Sequence, residues 1–150
     1  MLIPVTTVQQ GQADTELDYA EITADVTVAS TNSASPTTTI ITGAAVAYDG
    51  ATRVKLEVFS PFVFSANAGT EIFVSVWDGS TDVGRICDLY VASSVSGVTL
   101  YGARFFTPSN ASHTYSIRAY KSAGAGTSTF GANTGGVNTP LPAFMRITRA

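Results

Sequence analysis

Charge is scarce in this chain of 150 residues, with only 13% of them Asp, Glu, Lys or Arg, against about 25% in an ordinary soluble domain. Histidine and cysteine are scarcer: His113 and Cys87 are the single examples of each. One cysteine excludes an intrachain disulfide. One histidine and one cysteine cannot close a zinc site within one chain. His113 sits in Ser112-His113-Thr114, between a turn and a strand pattern, and there is no G-x-S-x-G elbow. Nucleophilic catalysis, by a serine or by a Cys87–His113 pair, therefore has nothing in the sequence to favour it. No apolar run approaches the roughly 18 residues of a membrane span. Met1-Leu2-Ile3-Pro4-Val5 is too short for a signal-peptide core and lacks a basic start, so the expected place of synthesis and folding is the cytoplasm of the producing cell. A net charge of −3 argues against a nucleic-acid partner.

Thr and Ser carry the polar share instead, and these are strand and turn residues. A surface rich in hydroxyls and poor in charge suits one covered by neighbouring subunits, although secreted β-domains share that composition. The few charges are unevenly placed. Asp14, Glu16, Asp18, Glu21 and Asp25 open the chain without a Lys or Arg, whereas Arg104, Arg118, Lys121, Arg146 and Arg149 lie in the last third without an Asp or Glu. An acidic N-terminal arm docking on a basic face, its own or a neighbour's, would account for this.

Residues 1–17 read as that arm. They carry Pro4 and Gln9-Gln10-Gly11-Gln12, and hold no period of 2 or 3.6. Fully extended, they would reach on the order of 55–60 Å. The domain proper is expected over 18–150. Ile22, Ala24, Val26 and Val28 alternate with polar residues, as in a half-buried strand. Similar patterns follow at Thr38–Val46, Val54–Val58, Ile72–Trp77, Val83–Val91, Val98–Phe106, His113–Lys121 and Phe144–Arg149. Pro61 marks a bend, an edge or a bulge, and 122–140 reads as a long Gly, Thr and Asn loop. No segment shows a helical stripe. About eight strands with uneven loops predict an all-β fold, a jelly-roll-like antiparallel β-sandwich. Tyr48-Asp49-Gly50-Ala51-Thr52 echoes Trp77-Asp78-Gly79-Ser80-Thr81, the same turn chemistry used twice.

Other candidate sites are thin. Asp78 and Asp82 stand four residues apart but lack the rest of a calcium ladder. Asp78, Asp82 and Asp88 suggest a glycosidase only by being acidic. The Gly-rich stretch from Gly124 to Gly136 lacks the following helix and Lys-Ser/Thr end of a phosphate loop. Asn110-Ala111-Ser112 matches a glycosylation sequon, which matters only in a secretory pathway. No catalytic residue, metal ligand or cofactor is assigned. Tyr90, Tyr101, Tyr115 and Tyr120 could stack on sugar, or belong to core or interface.

Several stretches carry a resemblance: Glu16 to Thr23, Tyr48 to Val63, Val76 to Ile86, Ser112 to Tyr120, and Pro140 to Arg149. Together with the aromatic-Asp-Gly turns, they resemble small β-rich structural proteins of tailed bacteriophages and prophages. The resemblance implies a virion protein assembled in the host cytoplasm, as a trimer of jelly-roll or tumour-necrosis-factor-like domains. Its role would be capsid decoration (cement), bound to the major capsid protein or other virion proteins. The alternative is a tail- or head-fibre tip that binds host surface glycan through the four tyrosines. Asp14, Glu16, Asp18, Phe144, Met145, Arg146 and Ile147 are the expected lattice or subunit contacts, with ordinary core as the competing role for the C-terminal strand.

Overall fold

The computed structural model describes residues 16–29, 31, 38–91, 97–122 and 127–150. Among these there is no helix. The strands are β1 (Glu16–Ile22), β2 (Val26–Thr27), β3 (Thr38–Ala47), β4 (Val54–Ser65), β5 (Thr70–Asp78), β6 (Thr81–Val91), β7 (Val98–Phe106), β8 (Ser112–Lys121), β9 (Ser128–Gly131) and β10 (Ala143–Arg149). Of the expected arm, residues 1–15, Asp14 among them, lie outside the described residues, and Glu16 and Leu17 already belong to β1.

The strands form two antiparallel sheets. One runs β1-β10-β4, with β7 on the far edge of β4; the other runs β3-β8-β5-β6. These eight strands, in these orders, make a jelly roll, the sandwich the sequence pattern predicts. The remaining two strands are short additions: β9 continues the β10 edge of β4, and β2 pairs with β9.

Alternation explains the layers. Val54, Leu56 and Val58 of β4 and Met145 and Ile147 of β10 are wholly buried, as are Ile72, Val74, Val76 and Ile117 from the facing sheet. Their neighbours in sequence point outward. Cys87 packs against this core, and burial raises its thiol to about 12, with Asp88 adding to the shift. It is an unreactive side chain.

Of the register shifts in the two sheets, two shape the sandwich. The pairing of β4 with β7 shifts between Ser60 and Val63, so Pro61 sits in a bulge. It falls where the other edge of β4 passes from β10 to β9, a position where a missing N–H costs no ladder bond. Buried Ser60 closes the gap, its hydroxyl reaching the carbonyls of Phe62 (2.9 Å) and Gly131 (2.8 Å). The second irregularity lies in β3, where pairing with β8 slips between Thr42 and Ala45. The buried Asp18 carboxylate of β1 accepts the N–H of Ala44 there, at 3.1 and 3.3 Å from its two oxygens. A Cβ on Gly43 would stand 2.0 Å from Asp18 Oδ2, so only glycine lets the carboxylate in. Asp18 ties the edge strands of the two sheets together.

Candidate functional site

The outer face of the six-stranded sheet is built by the side chains that alternate with the core. Pairing across β1, β10, β4 and β7 sets them in three rows: Glu16–Thr148–Lys55–Phe105, Tyr19–Arg146–Glu57–Ala103, and Glu21–Phe144–Phe59–Tyr101. Glu57 is the hub. It is only 5% exposed although it points away from the core. Lys55 Nζ donates to Oε1 at 2.7 Å, Arg146 donates to Oε2 through Nη2 at 2.9 Å and Nε at 3.3 Å, and the Tyr101 hydroxyl also donates to Oε1. Burial by itself pushes the Glu57 carboxyl up; the bonds from Lys55, Tyr101 and Arg146 outweigh it and hold the group at about 2.

Aromatic rings surround this hub. Tyr19, Phe144 and Phe59 stack in sequence, with centroids 5.8 and 5.4 Å apart and planes 27° from parallel. At such spacings, close to the interstrand distance, the rings stand up from the sheet and cover one another's faces. Such a cluster of rings beside charge suits a protein contact. Tyr101 (58%), Phe105 (49%) and Tyr19 (47%) are well exposed.

The opposite sheet treats its outer aromatics differently. Arg118 lies over Trp77 at 4.5 Å and Arg85 over Phe73 at 4.4 Å, and Phe73 stacks on Tyr120 at 4.7 Å. Trp77 and Tyr120 are buried under these caps. The four tyrosines singled out in the sequence therefore do not converge. Tyr115 is in the core, Tyr120 is sealed under Arg85, which donates to its hydroxyl at 2.7 Å, Tyr90 is exposed on β6, and Tyr101 is on the other sheet.

The expected contact residues divide in the same way. Met145 and Ile147 are core and Asp18 is the bulge clamp, whereas Glu16, Phe144 and Arg146 stand on the outer face. The acidic opening of the chain does lie beside the basic end, because β1 pairs with β10. Yet Arg146 forms its ion pair with Glu57, with Glu16 of β1 acting on it only through space, and Glu21 accepts the Tyr19 hydroxyl at 2.9 Å. The hub itself escaped sequence reading. Lys55 and Glu57 were legible as an outward pair, but their meeting with Arg146 and Tyr101 depends on strand order.

A second constellation was also invisible in the sequence. His113 Nδ1 lies 2.5 Å from Asp78 Oδ2, and its Nε2 lies 3.0 Å from Ser109 Oγ and 3.2 Å from the Ser109 carbonyl. Asp78 reaches His113 because β5 and β8 are neighbours. The order Asp-His-Ser is that of a hydrolase triad. Here it closes a turn, with the neighbouring Ala111 N–H spent on the Ser109 carbonyl at 2.9 Å. With Nδ1–H given to Asp78, neutral Nε2 accepts from Ser109 Oγ; protonated, it donates to the Ser109 carbonyl. The imidazole thus pins the 107–111 turn to β5 in either protonation state. Asp82, the other carboxylate of the calcium reading, accepts the Gly84 N–H at 2.8 Å, and among the described residues no group of three His, Cys, Asp or Glu side chains could hold a metal ion.

Neither a protein-family model nor a curated protein sequence matches this chain.

Proposed function

We propose that this protein is a bacteriophage virion structural protein, a capsid decoration subunit that works mechanically, by burying surface on itself and on the capsid lattice. The observation that carries the reading is the outer face of the six-stranded sheet, where Tyr19, Tyr101 and Phe105 stand well exposed around a fixed ionic hub, while on the opposite sheet Trp77 and Tyr120 are buried and Tyr90 is the exposed ring. Patches of exposed aromatics rimmed by charge mark interaction surfaces. The low charge content and the acidic N-terminal segment suit a subunit that laces onto a lattice. The fibre-tip alternative needs a sugar-binding surface other than the four tyrosines, since they lie apart.

The test is to locate the polypeptide in intact particles by gold-labelled antibody and to measure capsid binding after deleting residues 1–15. The expected result is label on the capsid shell, and a truncated chain that keeps its β circular-dichroism spectrum but no longer binds capsids. Label confined to the tail, or none on particles, overturns the reading, and unchanged binding by the truncation overturns the lacing arm.

A further inference from the structure

One row of the outer face carries a charge pair that cannot meet within the molecule. Glu16 stands at its β1 end; at the other end are Lys55 on β4 and Phe105 on β7, with the Arg53 guanidinium 5.1 Å from the Phe105 ring centre. Lys55 is engaged by Glu57. Glu16 and Arg53 are both exposed; among the described residues neither forms an ion pair, and Glu16 acts on Arg146 only through space. From β1 to β7 the row crosses three interstrand spacings, about 14 Å, so the two charges stay apart. Between them in the row lie Thr148 and Lys55, and the exposed Tyr19 and Tyr101 stand in the other two rows.

We infer that a second copy of this chain packs on this face, with the β1 rim of one copy against the Arg53–Phe105 rim of the next. A second copy is the occupant the charges select, because the face carries both halves of the complement: Glu16 at one end of the row, and the Arg53 guanidinium 5.1 Å from the Phe105 ring centre at the other. A closed assembly with its axis along the strands and this face packed inward keeps each residue at its own height and sets the Glu16 rim of each copy against the Arg53–Phe105 rim of its neighbour. The hub supports this. Glu57 is already desolvated and paired before docking, so covering the face strands no unpaired carboxylate. On the opposite sheet Arg118 caps Trp77 and Arg85 caps Phe73, and Tyr90 is the exposed ring. The inference rests on reading this face as a contact surface, but not on where in a particle the protein resides.

The test is sedimentation velocity of the full chain in solution from about 1 to 100 µM, a range that spans micromolar dissociation constants. The expected result is a concentration-dependent oligomer, weakened by added salt. Glu16→Arg and Arg53→Glu should each raise the dissociation constant roughly tenfold or more, because each turns an attraction into a repulsion, and the double variant should recover most of the loss by restoring the pair with reversed sign. Both side chains are exposed, and an unchanged circular-dichroism spectrum certifies the fold of each variant. A wild-type monomer throughout the range, single reversals without effect, or a double variant as weak as the sum of its parts would each overturn the pairing. A monomer that still coats capsids would remove this inference and leave the proposed function; an oligomer absent from particles would do the opposite.

Discussion

Glu57 shows how one residue can be structural and yet face outward. Its charge is stabilised by three donors, Lys55, Tyr101 and Arg146, on neighbouring positions of three strands. A folded-state value near 2, against the ordinary 4.5, means that the carboxylate contributes stability above pH 4.5, and that this contribution is lost as pH falls towards 2. The full linkage would be about 3 kcal/mol, and partial hydration of Lys55 and Arg146 reduces it to about 1–2 kcal/mol. Glu57→Gln should therefore lower stability at neutral pH by about that amount and flatten the acid limb, in urea titrations run from pH 7 to pH 2. An acid limb identical to that of the native chain would show that the hub contributes nothing. Sequence placed Lys55 and Glu57 on the outer side of β4 correctly, since period-2 alternation is a local property. It could not show that Arg146, 89 positions on, would complete the site.

At the scale of elements, alternation located most of the strands, and the misses share a cause. β7 lies where its pattern placed it, at Val98–Phe106. The alternation read from Ile22 to Val28 spans two strands, β1 ending at Ile22 and β2 at Val26–Thr27, paired with different partners, β10 and β9. β9 lies inside a segment read as loop because Ser128, Thr129 and Gly131 carry turn composition; it is a strand because Phe62 to Ser65 offers it a partner edge. Pro61 interrupts the pattern of β4 but not the strand, and the one Ser60 O–H is shared between the carbonyls of Phe62 and Gly131 at the bulge. Ser60→Ala should leave those carbonyls without that donor and cost about 1–3 kcal/mol, a drop of several degrees in melting temperature read by calorimetry. A melting temperature within a degree of native would mean that the bulge holds without it. The two echoing turns make the same point. Gly79, at φ 55°, opens the two-residue hairpin that joins β5 to β6 within one sheet. Asp49 instead accepts the N–H groups of Ala51 (2.8 Å) and Thr52 (2.7 Å) where the chain crosses from β3 in one sheet to β4 in the other. The same residues set the local turn, and the pairing partners decide where it leads.

At the scale of the molecule, the two-layer β-sandwich was legible because inward and outward faces are written into every strand. The strand order was not, because it rests on long-range pairing such as β4 with β7 and β10, which no local pattern encodes. The same gap separates the core residues, read correctly in β4, from the outer face proposed for assembly, which takes three side chains from each of four strands. Assembly through that face is the central claim, and hydroxyl-radical footprinting tests it most directly, comparing the chain free at low concentration with the chain in assembled particles. The account predicts that Tyr19, Tyr101 and Phe105 lose most of their labelling on assembly while Tyr90, exposed on the other sheet, keeps its own. Equal labelling of all four in both states would contradict it.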